Sequence, residues 1–321
     1  WFASFYQQQS QAFFNGQMAH ASLLVGPKGT AKSLFFQHLA KHMLCLSAKS
    51  NVLTQACGQC KSCHLFDSMA RQGSHPDCLL VRPEGKSSDI RIDQVRAIQQ
   101  FCEQTSQVSL VKVIIIDTVN DLNAFAANAL LKLLEEPNAG CYFLLAAENM
   151  AKLLPTIKSR VQWTRCPEPT VEQLQQWLHG QGFSTLQIEQ AVDLLGPKAR
   201  LVQRFLHLED DEQSALRSLV QQLSALKSAR LTSLELAEQW LALPAEFFGP
   251  ALYRLMQRLV EAKMLGADQY PESFATLISD MDTQLLLKIA QQLAEMLDKF
   301  EQSYNLNQEI LLMNWLTLWV E

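Results

Sequence analysis

Four cysteines lie close together in this 321-residue chain, at a spacing that suits a metal ion. Cys45, Cys57, Cys60 and Cys63 are separated by 11, 2 and 2 residues. Cysteines two residues apart in a turn bring their sulfurs together, and four thiolates close a tetrahedron around Zn²⁺. Because such a shell leaves no open position, the spacing predicts a structural rather than a catalytic zinc site.

Other interpretations of this cluster are weaker on chemical grounds. His64 directly follows a candidate ligand and could replace one, and His75 is a more distant candidate. A redox site would place two cysteines at a helix start after a strand, which this overlapping pattern does not match. Disulfide bonds are rare in the cytoplasm, where we expect this chain. The other cysteines stand in apolar segments and are expected to be buried small side chains: Cys78, Cys102, Cys141 and Cys166.

A second candidate site is the stretch GPKGTAKS, residues 26–33, between the apolar run SLLV and a helical pattern. It is close to the loop GxxxxGK[ST], whose backbone N–H groups and following helix N-terminus face phosphates. Lys32 and Ser33 stand where a lysine contacts phosphate oxygens and a hydroxyl holds Mg²⁺. Ala31 replaces the glycine before the lysine, so a Cβ crowds an unusual backbone angle or the phosphate itself. Nucleotide binding and an inherited turn with a solvated Lys32 both stay open.

The run VIIID, residues 113–117, predicts a buried strand that ends in a carboxylate. Asp117 would lie near the loop and orient Mg²⁺ through water. The next residue is Thr118, whose hydroxyl does not accept a proton near neutral pH as a carboxylate would. We therefore expect that any ATP bound here is hydrolysed very slowly. Three further carboxylates belong to the following helical pattern and are expected on its surface: Asp121, Glu135 and Glu136.

Short apolar runs alternate with helical patterns over residues 20–165, which predicts a βαβ architecture with a parallel sheet. The runs at 113–117 and 142–147 are apolar at nearly every position, as central strands covered on both faces are. After CPEPT, residues 166–170, the sequence shows helical periodicity alone. The predicted fold is an α/β domain with a zinc-binding insertion, followed by all-α segments.

PEPT and the acidic stretch EDDE at 209–212 predict three domains. They are an α/β domain over 1–166 with a zinc module at 45–63, a small helical domain over 167–208, and a helical domain over 209–321. The net charge of −5 is uneven, because the first domain holds 16 Lys+Arg against 11 Asp+Glu and the remainder holds 11 against 21. A basic first domain fits a surface that meets phosphate, whereas the acidic remainder argues against DNA along it.

Membrane and secreted classes do not fit this composition. No run approaches the roughly 18 uncharged apolar residues of a membrane span, and the first residues lack a signal peptide's basic region and cleavage site. The last helical pattern, residues 309–320, is apolar nearly all round and is expected to be buried in its domain or at a subunit contact. We expect a soluble cytoplasmic protein.

Several motifs together resemble the AAA+ clamp-loader subunits of bacterial DNA polymerase III. They are the altered phosphate loop, the CxxCxxC pattern after the first helix, HPD at 75–77, IDQVR at 92–96, ANALLKLLEEP at 127–137 and KSR at 158–160. These motifs cover residues 20–165, and the helical remainder is similar in length and order. The altered loop and missing base are more similar to a non-hydrolysing member than to the gamma or tau ATPases.

This resemblance implies a RecA-like AAA+ domain, a helical lid at 167–208 and a helical collar at 209–321. The collar would pack into a ring of five that also holds gamma or tau ATPase subunits and a delta subunit. Such a ring opens a sliding clamp and places it on primed DNA, so the chain would be part of a DNA polymerase holoenzyme. Its own ATPase activity is not expected, and ATP with Mg²⁺ at its own loop is doubtful.

The family completes each ATP site with an arginine from the neighbouring subunit, in a Ser-Arg-Cys motif. The matching positions here are Ser159, Arg160 and Val161, so the resemblance assigns Arg160 as the arginine finger. Arg165 is the nearest competitor. Lys198 and Arg200 lie near the position of the family's sensor arginine. They are equally well explained as solvated residues in the first turn of a helix.

Two other functions stay open at this level. An active gamma-like ATPase would need an unexpected base in place of Thr118. A zinc-bearing DNA-binding module would use the cysteine cluster itself to contact DNA. Only two basic residues stand between Cys45 and Cys63, which is few for a site whose affinity rests on phosphate neutralisation.

Overall fold

A computed structural model of the chain describes residues 1–48, 55–69, 75–84, 89–266, 270–301 and 307–320. Part of the predicted zinc module, residues 49–54, lies outside the described residues. The chain divides into two compact units, Trp1–Thr170 and Val171–Glu321. No helix in the described part of the chain combines the length and the hydropathy of a membrane-spanning segment.

The first unit alternates strands and helices, as the sequence predicts. Its strands are β1 (Ala21–Val25), β2 (Cys78–Val81), β3 (Lys112–Ile116), β4 (Cys141–Ala147) and β5 (Gln162–Arg165). Its helices are α1 (Ala3–Phe14), α2 (Lys32–Met43), α3 (Lys61–Met69), α4 (Ile92–Glu103), α5 (Ala124–Glu135) and the short α6 (Pro155–Lys158). A single 3₁₀ turn, Val119–Asp121, separates β3 from α5.

Within the described residues the strands form one parallel sheet in the order β2-β3-β4-β1-β5. Every residue of β3 is buried, and β4 is buried except at Tyr142. Helices cover both faces of these central strands, which explains why their sequences are apolar at successive positions. The predicted α/β fold class is confirmed.

Successive side chains of the central strands point to opposite faces of the sheet and pack into two separate hydrophobic cores. Ile114 and Phe143 face a cluster built with α4 and α5, whereas Ile115 and Leu144 face a cluster built with α1 and α2. Each such side chain contributes about 1.5–3 kcal/mol when it is removed from water. The sheet is therefore the rigid element from which the loops at both of its edges project.

The described part of the second unit contains helices and no strand. They are α7 (Val171–His179), α8 (Thr185–Leu195), α9 (Ala199–Phe205), α10 (Asp210–Arg217), α11 (Leu219–Lys227), α12 (Ser233–Leu241), α13 (Ala245–Leu265), α14 (Glu272–Ile278), α15 (Thr283–Glu301) and α16 (Gln308–Thr317). Helices α8 and α13 pack together, and Asp193 pairs with Arg258 between them. The finer division of this unit into 167–208 and 209–321 stays a prediction.

Helix α16 is buried along one face rather than all round. Trp315 and Leu316 are buried, and the Trp315 indole N–H donates to the Ile289 carbonyl at 3.0 Å. Ile310 on the same helix is 52% exposed. Part of the apolar surface of this helix therefore faces outward.

Candidate functional site

The structure brings the four predicted cysteine ligands together. Their Sγ atoms all lie within 4.8 Å of one another. The Cys45–Cys60 and Cys57–Cys63 sulfur pairs are each 3.9 Å apart. Four sulfurs at about 2.3 Å from a tetrahedral ion would be roughly 3.8 Å apart. The cluster could therefore hold a metal ion without rearrangement.

Backbone N–H groups surround these sulfurs. The Cys60 amide donates to Cys57 Sγ and the Cys63 amide donates to Cys60 Sγ, both at 3.4 Å. Gly58 makes this turn possible with a φ of +73°, which glycine adopts without a Cβ clash. Hydrogen bonding from the Gln59 amide, first among several donors, lowers the pKa of Cys57 to about 6. These donors favour the metal-binding thiolate form at Cys57, whereas burial raises the pKa of Cys45 and of Cys63.

The two histidines that were considered as ligands have other positions. His64 is exposed on α3, and His75 is buried beside the same helix. Among the described residues the metal-competent cluster consists of cysteines alone. The Asp77 amide donates to His75 Nδ1 at 3.0 Å, so the proton of the neutral ring is on Nε2. That nitrogen lies 3.0 Å from Ser62 Oγ, which places Ser62 as the acceptor.

A buried hydrogen-bonded chain continues from Ser62 into the core. Ser62 Oγ lies 3.4 Å from Ser109 Oγ, and the Ser109 hydroxyl donates to the carbonyl of Leu44 at 2.9 Å. Ser62 stands between two of the cysteines, and Leu44 directly precedes Cys45. Neutral His75 therefore links both parts of the cysteine cluster to the α/β core.

Asp77 fixes this hydrogen-bonded network to the segment that precedes β3. Its carboxylate, which is fully buried, accepts from the amides of Gln107, Val108 and Ser109 at 2.7–2.8 Å. Three backbone donors satisfy a buried charge that would otherwise be costly. HPD thus has a structural basis that sequence reasoning missed, because its partners are about 30 residues away in the chain.

The loop GPKGTAKS connects β1 to α2, as expected. Ala31 has φ +66° and ψ 24°, the left-handed conformation that favours glycine. A Cβ added at Gly26 would lie 2.8 Å from the Cβ of Cys166, so the first glycine permits close packing behind the loop. Cys166 Sγ also lies 3.8 Å from the Thr30 carbonyl. Sequence reasoning treated Cys166 as an ordinary core residue and missed this contact.

Lys32 points back into its own loop. Its ammonium donates to the carbonyls of Gly26 and Pro27, each at 2.7 Å, and lies 3.4 Å from Thr30 Oγ1. Lys32 is 7% exposed, and burial lowers its pKa. The three donors of the ammonium thus match three oxygens of the loop. The solvated lysine considered from the sequence is not what the structure contains.

Ser33 and Asp117 complete the predicted nucleotide-binding set. Ser33 Oγ accepts from Gln37 Nε2 at 3.2 Å. Asp117 follows β3, and its amide donates to the Val81 carbonyl at 3.0 Å. Thr118, which follows it, is in extended backbone and brings no carboxylate.

Asp121 belongs to an acidic group near Asp117 rather than to the surface of a helix. Helix α5 begins only at Ala124, because Asn123 Oδ1 caps it by accepting from the Ala126 amide at 2.9 Å. Burial, with the nearby charge of Glu148 next in size, raises the pKa of Asp121 to about 6. Several carboxylates therefore collect beyond the carboxyl ends of β3 and β4.

Arg160 lies in a different place, after α6 and before β5. Its Nη1 donates to the Thr156 carbonyl at 2.8 Å and to Ser159 Oγ at 3.1 Å, and its Nη2 is 2.7 Å from Glu135 Oε1. It lines an open cavity of about 670 Å³ with the following residues: His20, Leu134, Glu135, Ser159, Val161 and Gln162. The side chain is 34% exposed, so the guanidinium is accessible from this cavity.

The other basic candidates are less constrained. Arg165 ends β5 opposite Val25 and is exposed. In the second unit, Lys198 is the N-cap of α9, and Arg200 donates to Gln203 Oε1 at 2.7 Å on the same helix. An i,i+3 contact of this kind is a surface interaction within one helix.

The loop and Arg160 lie at opposite edges of the sheet. GPKGTAKS and Asp117 follow β1 and β3, whereas His20 precedes β1 and Arg160 precedes β5. In a parallel sheet the carboxyl ends of all strands lie on one side, which is called the carboxyl edge here, and the amino ends lie on the other, the amino edge. The two sides are separated by the length of a strand, roughly 15 Å for five residues. Arg160 and the loop of the same chain therefore belong to different sites.

Comparison with known proteins gives several matches. A family model described as DNA polymerase III, delta subunit matches residues 3–170. Subunit delta′ of DNA polymerase III from Pseudomonas aeruginosa is 35% identical over 237 residues, which are 73% of this chain and 70% of that protein. Subunit delta′ from Haemophilus influenzae is 38% identical over 179 residues, 56% of this chain and 52% of that protein.

Among solved structures, a DNA polymerase III gamma subunit-related protein from Thermotoga maritima covers 97% of this chain and 98% of its own. Its sequence identity is 18% and the TM-score is 0.44. A likeness of this size supports no conclusion about function.

We predict that Ala31→Gly stabilises the first unit by a few tenths to about 1 kcal/mol. Glycine removes the Cβ penalty of the left-handed conformation, at a partial cost in unfolded-state entropy. Urea denaturation of wild type and variant would measure the difference. Ala97→Gly, at an exposed position inside α4, should instead destabilise. A loss of stability in Ala31→Gly would contradict the strained backbone at this position.

Proposed function

The chain belongs to the family of DNA polymerase III delta′ subunits, within the AAA+ clamp loaders, and on this premise we propose that it is a non-hydrolysing member of the clamp-loader ring. It donates Arg160 to the ATP site of the adjacent ATPase subunit and helps load the sliding clamp onto primed DNA. Its partners are gamma or tau ATPase subunits and a delta subunit, in a ring of five. The helical second unit supplies the lid at 167–208 and the collar at 209–321.

The observation that carries this proposal is the position of Arg160 at the amino edge of the sheet. The chain's own phosphate loop is at the carboxyl edge, one strand length away. A guanidinium held at the mouth of an open cavity is suited to a phosphate that another subunit brings. A finger supplied in trans is worth roughly 10³–10⁵ in the rate of phosphoryl transfer where it operates.

The chain's own loop is the supporting observation for a subunit without turnover. Thr118 provides no base, and Ala31 places a Cβ where the loop motif has glycine. Lys32 already binds three oxygens of the loop. ATP with Mg²⁺ would have to compete with these contacts before Ser33 or Asp117 could take part.

The ion in the cysteine cluster, in our proposal, is Zn²⁺ with a structural role. Four sulfurs at the observed separations match its tetrahedral Zn–S geometry, and no position stays open for a substrate. The ion would join the turn around Gly58 to the end of α2. The buried hydrogen bonds that begin at His75 also reach the end of α2, at the carbonyl of Leu44. It shapes the surface of the first unit rather than taking part in chemistry.

Arg160→Ala should fold and assemble, yet slow ATP hydrolysis by the ring of this chain with the gamma-type ATPase and delta subunits by 10³-fold or more at the adjacent site. ATP turnover of the purified ring, and of this chain alone, would test this. Arg165→Ala is the matched control and should leave turnover unchanged. Steady hydrolysis by this chain alone, or unchanged turnover in the Arg160 variant, would contradict the proposal.

Lys32→Ala should leave ring turnover nearly unchanged, because the chain's own loop does not take part. The variant loses the contacts to Gly26 and Pro27, so its melting temperature should fall while the activity of the ring stays. Turnover should be measured at a temperature where the variant is folded. A large loss of turnover there would mean that this loop is used.

Cys60→Ser should release zinc and destabilise the first unit, because metal binding and folding are linked by up to about 10–16 kcal/mol in small zinc modules. Zinc content measured by mass spectrometry and the melting temperature of the chain would report both effects. His64→Ala, next to the cluster but outside it, should keep full zinc. Full occupancy in the Cys60 variant would disprove ligation by four cysteines.

A further inference from the structure

Within the described residues, the guanidinium of Arg160 meets three acceptors from two separate elements. The Thr156 carbonyl and Ser159 Oγ, both close to Arg160 in the chain, accept hydrogen bonds from Nη1. Oε1 of Glu135, the last residue of α5, is the ion-pair partner of Nη2. An arginine has five N–H donors, so Nε–H and one N–H of Nη2 are not used by these contacts. Two donors suffice for a bidentate contact with an oxyanion.

Glu135 occupies a position that helix electrostatics do not favour. Carboxylates are destabilising in the last turn of a helix, where the carbonyl ends carry partial negative charge. Glu135 and Glu136 both stand at this end of α5. Among the described residues Glu135 has Arg160 as an ion-pair partner, whereas Glu136 has none. The ion pair with Arg160 thus compensates the unfavourable position of the Glu135 carboxylate at the end of the helix.

The local contacts of Arg160 do not by themselves fix its orientation. Thr156 and Ser159 hold one nitrogen, about which a long side chain with several rotatable bonds can still turn. Glu135 adds a second point on a different element, and α5 is fixed in the core by Leu134, which is 2% exposed. His20 Nε2 lies 3.1 Å from the Leu134 carbonyl and supports the same helix end.

We propose that Glu135 is a positioning residue that holds the Arg160 guanidinium toward the cavity, ready for the phosphate of the neighbouring subunit. This inference rests on the proposed role of Arg160 as a finger donated in trans. Correct placement of a charged group before the reaction contributes strongly to catalysis, and misplacement by about 1 Å can cost 10²-fold. Glu135 itself touches neither the nucleotide nor the reacting atoms.

The pair contributes little to the stability of the fold. The side chain of Arg160 is 34% exposed and that of Glu135 is 48% exposed, so water screens their attraction. A change at Glu135 should therefore alter how the guanidinium is oriented without unfolding the unit. Stability and turnover can thus be measured as separate effects.

The experiment compares Glu135→Gln with Glu136→Gln in the ring reconstituted from this chain, the gamma-type ATPase and the delta subunit. Glu135→Gln should lower kcat for ATP at the adjacent site on the order of tenfold, with an unchanged KM and an unchanged melting temperature of the chain. Glu136→Gln, the adjacent carboxylate without an ion pair in the described structure, should behave as wild type. Combining Glu135→Gln with Arg160→Ala should be no slower than Arg160→Ala alone, because both changes act through one group.

The outcomes separate this inference from the proposal on which it rests. If Arg160→Ala slows the ring and Glu135→Gln does not, Arg160 is the finger and the positioning role of Glu135 is wrong. Faster turnover in Glu135→Gln would also overturn it, because Glu135 would then compete with the phosphate for the guanidinium. If Arg160→Ala itself has no effect, the role of Arg160 fails and that of Glu135 with it.

Discussion

The parallel pairing of the five described strands is the constraint on which the functional geometry of the first unit depends. Because every strand runs in the same direction, all loops that follow strands collect at one edge and all segments that precede strands collect at the other. The phosphate loop and Asp117 are of the first kind, and His20 and Arg160 are of the second. One rigid sheet, buried on both faces at β3 and β4, thus presents two separate sites.

The loop around Lys32 and the cavity around Arg160 differ in whether the positively charged group has donors left for a further ligand. Lys32 is buried, and its ammonium is satisfied by the oxygens of its own loop. Arg160 is partly exposed, and its contacts with Thr156, Ser159 and Glu135 leave donors for another group. In the proposed ring, such a subunit would give a positive charge to its neighbour, while Lys32 of its own GPKGTAKS loop is engaged by contacts within the chain.

Polar groups in the interior of the first unit connect the cysteine cluster to the same sheet. Asp77 precedes β2 and binds three consecutive amides, His75 accepts from the Asp77 amide, and the chain continues through Ser62 and Ser109 to Leu44. Buried polar groups of this kind are stabilising when every member has a partner. The insertion is therefore held by hydrogen bonds as well as by the ion that its cysteines could bind.

Periodicity and motif spacing were sufficient to predict the parallel α/β sheet, the all-helical second unit and the four cysteines, because these depend on residues that are neighbours in the chain. The strained backbone at Ala31 was also predictable, since the loop motif has glycine there. The internal contacts of Lys32, the partners of Asp77 and the pairing of Glu135 with Arg160 were not. The amide partners of the Asp77 carboxylate and the Glu135 partner of Arg160 are 25 or more positions away in the chain, so their geometry is decided only when helices and strands pack. The Lys32 contacts are within six positions, but they depend on the conformation that the loop adopts between β1 and α2. Local sequence determined which groups this protein carries, and tertiary structure decided which of them are satisfied internally and which can meet a partner.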